Sequence, residues 1–156
     1  MRVACDAVGR EAALRARSWL ATPYQHQASV RGLGADCLGL VRGIWREIYG
    51  AEPQPVPPYG ADWAERGGEE QLLEAFGRWL VERPDGRMRE GDVVVFRMRP
   101  DAVAKHCAVV SRLEGPEPRM IHAYWARAVV ESWVGNWWLR RKVAVFGWPE
   151  KKGGAV

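Results

Sequence analysis

Apolar residues fall at Leu38, Val41, Trp45 and Ile48, and Leu40 and Ile44 widen the stripe. This is helical spacing, and it predicts a helix over about Asp36–Tyr49 whose stripe is wide enough for burial. Asp36 stands where an N-cap would stand, and Gly50 follows as a C-cap would. Val8, Ala12, Ala16, Trp19 and Leu20 form a second stripe. It predicts a helix over about Asp6–Leu20, ended by Pro23. Leu72, Leu73, Phe76, Trp79 and Leu80 form a third, predicting a helix over about Glu69–Glu82. Pro53, Pro55, Pro57 and Pro58 break regular structure and predict an extended surface connection. Beyond Pro84-Asp85-Gly86 the period changes to that of strands. Five are predicted: Asp92–Met98, His106–Leu113, Arg119–Tyr124, Ala128–Val134 and Val143–Trp148. Gly115-Pro116 and Ala126-Arg127 are connections short enough for antiparallel hairpins. Helices first and strands after is the α+β pattern, with N-terminal helices packed on one face of a five- or six-stranded antiparallel sheet.

The 156 residues suit one domain, residues 1–150, and a polar, glycine-bearing tail, residues 151–156, that is expected to fray. The net charge of +4 suits an anionic partner, but the excess is mild and unclustered, so no nucleic-acid role is predicted. No apolar run is long enough to span a bilayer, so no membrane anchor is predicted. Met1–Arg10 has no apolar h-region, which leaves synthesis in the cytoplasm without a signal peptide as the expectation. Cys5, Cys37 and Cys107 are odd in number and form no disulfide framework. No C-x-x-C or H-x-x-x-H spacing occurs, and adjacent His106 and Cys107 would point to opposite faces of a strand. No metal and no cofactor is therefore expected. The chain has nine Trp. Those from Trp125 to Trp148 read either as core and sheet edge or as an aromatic surface for a sugar, a peptide or a protein partner. Trp137 and Trp138 are adjacent, so one of them is expected to face a partner, and the two, with Arg140, Arg141 and Lys142 beside them, are the expected docking anchors.

Cys37 falls in the first turn of the central helix. Unpaired N–H groups and the positive end of the helix dipole favour a thiolate there. The plainer reading is a small apolar residue on a buried helix. A cysteine nucleophile needs a base, and the base needs an orienting partner. His26 sits in a loop, His106 begins a strand and His122 lies within one. His106 and His122 can be cross-strand neighbours with their rings on one face. A helix packed on that face would bring Cys37 to the same point. His106 would then take the thiol proton, and His122 would hold the His106 ring in the right tautomer. Alternatively each histidine is a satisfied polar group at a strand end.

In order along the chain stand Trp19, Pro23-Tyr24, Asp36-Cys37-Leu38-Gly39, Gly91-Asp92-Val93-Val94-Val95-Phe96, His106-Cys107-Ala108-Val109 and Ile121-His122-Ala123. This ordered set resembles the NlpC-type papain-like cysteine peptidases of bacterial cell walls, over roughly Ala12–Trp148. The resemblance implies a papain-like fold and a Cys-His-His triad of Cys37, His106 and His122. Tyr24 would donate to the oxyanion together with the Cys37 N–H, and Asp36 would help hold a free substrate amine. The implied reaction is hydrolysis of an amide in the peptidoglycan stem peptide, typically between D-glutamate and diaminopimelate.

Leu38 stands where the family usually has Ser, which removes half of the amine contact. Asp-Cys-Leu-Gly-Leu-Val-Arg-Gly looks more like the branch found with phage and gene-transfer-agent tail genes. That likeness implies a protein that reaches the wall in the tail or baseplate of a virion-like particle. Two other readings stay open. One is a structural tail-tip or baseplate component with secondary or no hydrolase activity. The other is an acyltransferase of the same superfamily.

Overall fold

The computed structural model describes residues 2–53 and 70–152. The connection expected at Pro55, Pro57 and Pro58 and the tail residues 153–156 lie outside the described residues. The elements run α1 (Asp6–Ser18), β1 (Ser29–Val30), β2 (Gly34–Ala35), α2 (Cys37–Tyr49), α3 (Gln71–Trp79), β3 (Val81–Glu82), β4 (Val93–Phe96), β5 (His106–Arg112), β6 (Arg119–Ala123), β7 (Val129–Trp133), α4 (Asn136–Leu139) and β8 (Lys142–Gly147). β1 and β2 form a small hairpin. The other six strands make one antiparallel sheet in the order β3-β8-β4-β5-β6-β7. This is the expected α+β, papain-like NlpC-type architecture.

The core sits between the sheet and the two N-terminal helices. α1 turns Val8, Ala12 and Ala16 inward, and α2 turns Leu40, Val41, Ile44 and Ile48. They meet Val93, Val95, Val109 and Ile121 from the sheet. The small residues of α1 let its backbone come close to the strands. Trp19 follows α1 and is 1% exposed. A Cβ on Gly43 would collide with its ring, so α2 needs glycine there.

The opposite face of the sheet is also closed. Val94, Phe96, Ala108, Val110, Met120 and Val145 are all fully buried, with Met88, Met98, Val134 and Trp138 packed over them. Strand β4 is buried at every position, which is why its sequence reads as a continuous apolar run instead of an alternation.

Three departures from the sequence expectation have physical causes. The first helix stops at Ser18, short of Leu20. Residues 21–24 instead lie along β7, where the Ala21 N–H donates to the Val129 carbonyl, Val129 N–H to that of Thr22, and Tyr24 N–H to that of Arg127. The third helix ends at Trp79, because Val81 and Glu82 pair with β8. The hairpin β1–β2 and the single turn α4 are too short to leave a periodic signal.

One polar group is fixed inside this frame. Asp92 has no solvent exposure and accepts from Arg83 Nε at 2.9 Å, Arg83 Nη2 at 3.0 Å and the Arg89 N–H at 2.9 Å. Removing the carboxylate takes two hydrogen bonds from a guanidinium whose side chain is 11% exposed and leaves it the exposed Asp6 at 3.2 Å. Asp92→Ala is expected to lower the unfolding free energy by about 3–5 kcal/mol, read from urea denaturation. A loss within the range of ordinary surface substitutions would show that the pair is not a structural fastener.

Candidate active site

Asp36 caps α2 with extended backbone. Its Oδ1 accepts from the Gly39 N–H at 2.7 Å and its Oδ2 from the Gln27 N–H at 2.8 Å. At 3% exposure its carboxylate is enclosed by the loop and the helix start it fastens together. The structure therefore shows it as a brace for residues 25–39. Gly39 completes the brace. Any Cβ there would strike the Ala28 carbonyl, which itself accepts from the Asp36 N–H at 3.2 Å.

The brace fixes Cys37 as the first residue of α2, partly exposed. Its Sγ lies 3.5 Å from the Lys105 carbonyl oxygen, just before β5 begins. From β5, the Cys107 thiol lies 3.3 Å from the Cys37 carbonyl oxygen. Helix start and strand start are thus locked together by two sulfur contacts.

His106 and His122 come together as expected. The pairing of Val109 with Ile121, continued along the strands, sets His122 opposite Ala108, one diagonal step from His106. His106 Nε2 lies 2.8 Å from His122 Nδ1, and His122 Nε2 lies 2.9 Å from Ser132 Oγ on β7. The route by which Cys37 joins them differs from the expectation. Both imidazoles lie on the face away from α1 and α2, since their strand neighbours Ala108 and Met120 belong to the opposite core. Cys37 meets His106 because each is the first residue of its element, at the end of the sheet.

An aromatic wall holds the histidines. The Trp138 ring stacks on His106 with centroids 5.3 Å apart and meets His122 edge-on at 5.4 Å. Phe96 lies 6.1 Å from His106, and Tyr124 lies 5.4 Å from His122. Trp138 is therefore a wall of the site and not an exposed anchor. Its neighbour Trp137 faces outward, 43% exposed, under the Arg141 guanidinium.

Electrostatics sort the ionisable groups. The Cys37 thiol is brought down to about 5. The largest influence is the hydrogen bond from the Cys107 thiol. Burial opposes it, and the hydrogen bond and charge of His106 add to the lowering. Burial, then the charge on His106, pulls His122 down to about 3, so its ring is neutral at physiological pH. A neutral His122 can accept at Nδ1 from His106 Nε2–H while its own Nε2–H donates to Ser132. This leaves His106 Nδ1 for the sulfur. Tyr24 is half-buried, and burial, with the charges of Cys37 and Asp36, pushes its hydroxyl up to about 12. It stays a donor beside Cys37. Leu38 turns away, lining an apolar cleft between α2 and α3 with Val41, Trp45, Phe76 and Trp79.

Sequence reasoning did not find Ser132, Trp138 or Cys107. Ser132 lay two places along from the partner of His122, but nothing in its type distinguished it from a solvated serine. Among the described residues no group of three or more His, Cys, Asp or Glu could hold a metal ion, and no helix is long and apolar enough to cross a membrane.

No protein-family profile and no curated protein sequence matches the chain. Solved structures do. The NlpC/p60 domain of the peptidoglycan hydrolase SagA superposes with a TM-score of 0.56 at 18% identity, covering 89% of this chain and 97% of that one. The fold is that of the NlpC/p60 domains. NlpC2 from Trichomonas vaginalis gives 0.57 at 17% identity, over 92% of this chain and 47% of that one. An NlpC/p60 family protein from Bacillus cereus gives 0.56 at 17%, over 87% and 39%. The chain thus spans less than half the length of the latter two proteins.

The lowered thiol has a direct consequence. In the folded protein the rate of Cys37 alkylation by iodoacetamide should rise with pH through a midpoint near 5, because the thiol is protonated below it and ionised above. Cys107, pushed well above the ordinary thiol range, should stay unlabelled at neutral pH. Mass spectrometry of the labelled peptides reads both. Cys5 or Cys107 reacting ahead of Cys37 would remove Cys37 as the activated thiol.

Proposed function

We propose that this NlpC/p60-fold protein is a cysteine peptidase that hydrolyses an amide bond in peptidoglycan stem peptides. The observation that carries the reading is the run Cys37, His106, His122, Ser132, a low-pKa thiol followed by two linked imidazoles. The Cys37 thiolate attacks the amide carbonyl carbon and a carbon–sulfur bond forms. The Cys37 N–H and the Tyr24 hydroxyl face the oxygen that gains the charge. His106 gives its Nδ1 proton to the departing amine, and a thioester remains. His106 then takes a proton from water as the water attacks the thioester, and the acid and the thiolate are released. His122 accepts from His106 throughout and holds the imidazolium in place. Two relations support peptidoglycan as the substrate. One is the likeness to the SagA domain, a peptidoglycan hydrolase. The other is the resemblance of the ordered motif set to cell-wall peptidases. On that resemblance the bond is the one between D-glutamate and diaminopimelate.

Purified peptidoglycan incubated with the protein should release stem-peptide fragments cut at that bond, identified by mass spectrometry. Cys37→Ala should reduce the rate by roughly 10⁴-fold or more, and His122→Ala by about 10²–10⁴-fold. Intact peptidoglycan after incubation with protein whose Cys37 labels normally would sink the assignment. Transfer of the acyl group to an amine in preference to water would point to the acyltransferase reading, and particles unaffected by Cys37→Ala would point to a structural component.

The setting we propose is the tail or baseplate of a phage-like or gene-transfer-agent particle. The Asp36–Gly43 segment supports it by resemblance. Exposed aromatics would give such a protein its docking face. Trp125 is 74% exposed, Trp133 46% and Trp137 43%, the last two under Arg119 and Arg141. The protein should co-purify with particle tails. Trp133→Ala with Trp137→Ala should lower its incorporation while peptide hydrolysis persists, since neither ring touches His106 or His122. Normal incorporation of the double variant would remove this docking face.

A further inference from the structure

Hydrolysis leaves the Cys107 sulfur without a chemical step of its own. β5 turns this side chain toward α2, into the helix-side core, with no solvent exposure. Its thiol donates to the Cys37 carbonyl oxygen at 3.3 Å. The Cys37 sulfur rests on the carbonyl of Lys105, two residues before Cys107. Each sulfur thus rests on the backbone of the other's segment, one partly exposed and one wholly inside. Cys5 is elsewhere. Its N–H donates to the Trp148 carbonyl, next to Pro149, which accepts from Tyr49 at the far end of α2. That is roughly 18 Å along the helix from Cys37.

The geometry points to Cys107 as a resolving cysteine, which captures oxidised Cys37 as a reversible Cys37–Cys107 disulfide. This goes beyond the peptidase reading and needs only the two thiols. The oxidant is a hydroperoxide, hydrogen peroxide in the simplest case. The Cys37 thiolate attacks one peroxide oxygen. A sulfur–oxygen bond forms, the oxygen–oxygen bond breaks and hydroxide leaves, giving a sulfenic acid. The Cys107 sulfur then attacks the Cys37 sulfur. A sulfur–sulfur bond forms, the sulfur–oxygen bond breaks, and the Cys107 proton leaves with the hydroxyl as water. One peroxide is consumed and two thiols are oxidised.

The environment favours this order. Cys37 is the more accessible partner and meets the oxidant first. Its charge holds the proton on Cys107, after the shared hydrogen bond and burial, and that charge vanishes once the sulfenic acid forms. His106, beside Cys37, can pass that proton to the departing hydroxyl. Resolution is intramolecular, whereas further oxidation needs a second peroxide to reach Cys37. The disulfide takes the thiolate out of use and protects it from the irreversible sulfinic acid.

The test uses the whole folded protein. It is treated with a small excess of hydrogen peroxide, remaining thiols are alkylated, and the chain is digested without reductant for mass spectrometry. The expected product is one peptide pair joining Cys37 to Cys107, split by dithiothreitol, with Cys5 alkylated. After reduction, iodoacetamide labelling of Cys37 should return in full. In Cys107→Val, the same exposure should leave Cys37 as sulfinic acid, with labelling lost for good. Sulfinic Cys37 beside a free Cys107 in the natural sequence would overturn the proposal, as would a link from Cys37 to Cys5 or to a second molecule. If Cys107→Val fails to fold, the peptide map of the natural sequence decides alone. None of these readouts uses peptidoglycan, so failure here is distinct from failure of the peptidase assignment.

Discussion

A single enclosed carboxylate sets the geometry on which the site depends. Asp36 ties the loop to the helix by accepting from Gln27 on one side and Gly39 on the other. It has to be charged or strongly polar to satisfy two backbone donors at once, and it has to be short to reach both. The glycine three residues on lets the Ala28 carbonyl close over the helix start. Cys37 lies between these two requirements and cannot drift. The spacing Asp-Cys-x-Gly is thus first a mechanical device and only then a chemical motif. It places a sulfur at the one end of α2 where backbone N–H groups are unpaired.

Burial acts on the neighbouring groups with opposite results, according to their partners. For His122 it acts almost unopposed and keeps the ring neutral. For Tyr24 it keeps the hydroxyl protonated. For Cys37 it would also favour the neutral form, but two donors, Cys107 and His106, overcome it. The balance of these contacts therefore favours a charged sulfur, a neutral imidazole and a protonated phenol. Of the three, the sulfur is the one whose state differs from that in neutral water, where a thiol keeps its proton.

The central helix, its cap and the strand positions of the two histidines were legible because each rests on local chemistry. Apolar periodicity places α2, the Asp36 cap marks its start, and the alternation of strand side chains puts His106 and His122 on one face. The side of the sheet on which they lie was not legible. β4 is apolar at every position, so its sequence does not distinguish the helix-side face from the other. The two-residue strands β1, β2 and β3 escaped for another reason. β1 and β2 pair with each other and are too short for a periodic signal, and β3 pairs with β8, which is distant in the chain. Ser132 and Cys107 lie in plain strand sequence and acquire their roles from neighbours across the sheet or on α2.

Trp138 shows how the second core and the site constrain each other. Among the described residues no long helix closes the face of the sheet that carries the histidines. The single turn α4 follows β7, and its Trp138 lies against both Phe96 and His106. The same ring that excludes water from the second core also fixes the plane of the first imidazole. An aliphatic residue could fill the volume, but it would leave His106 free to rotate about its χ angles. A flat ring stacked at 29° restricts that rotation, while the hydrogen bond to His122 restricts the ring's tilt. The His106 ring is therefore oriented from two directions, and neither contact uses its Nδ1. That nitrogen lies outside both constraints, near where α2 and β5 begin, which is what the proposed role as base requires of it.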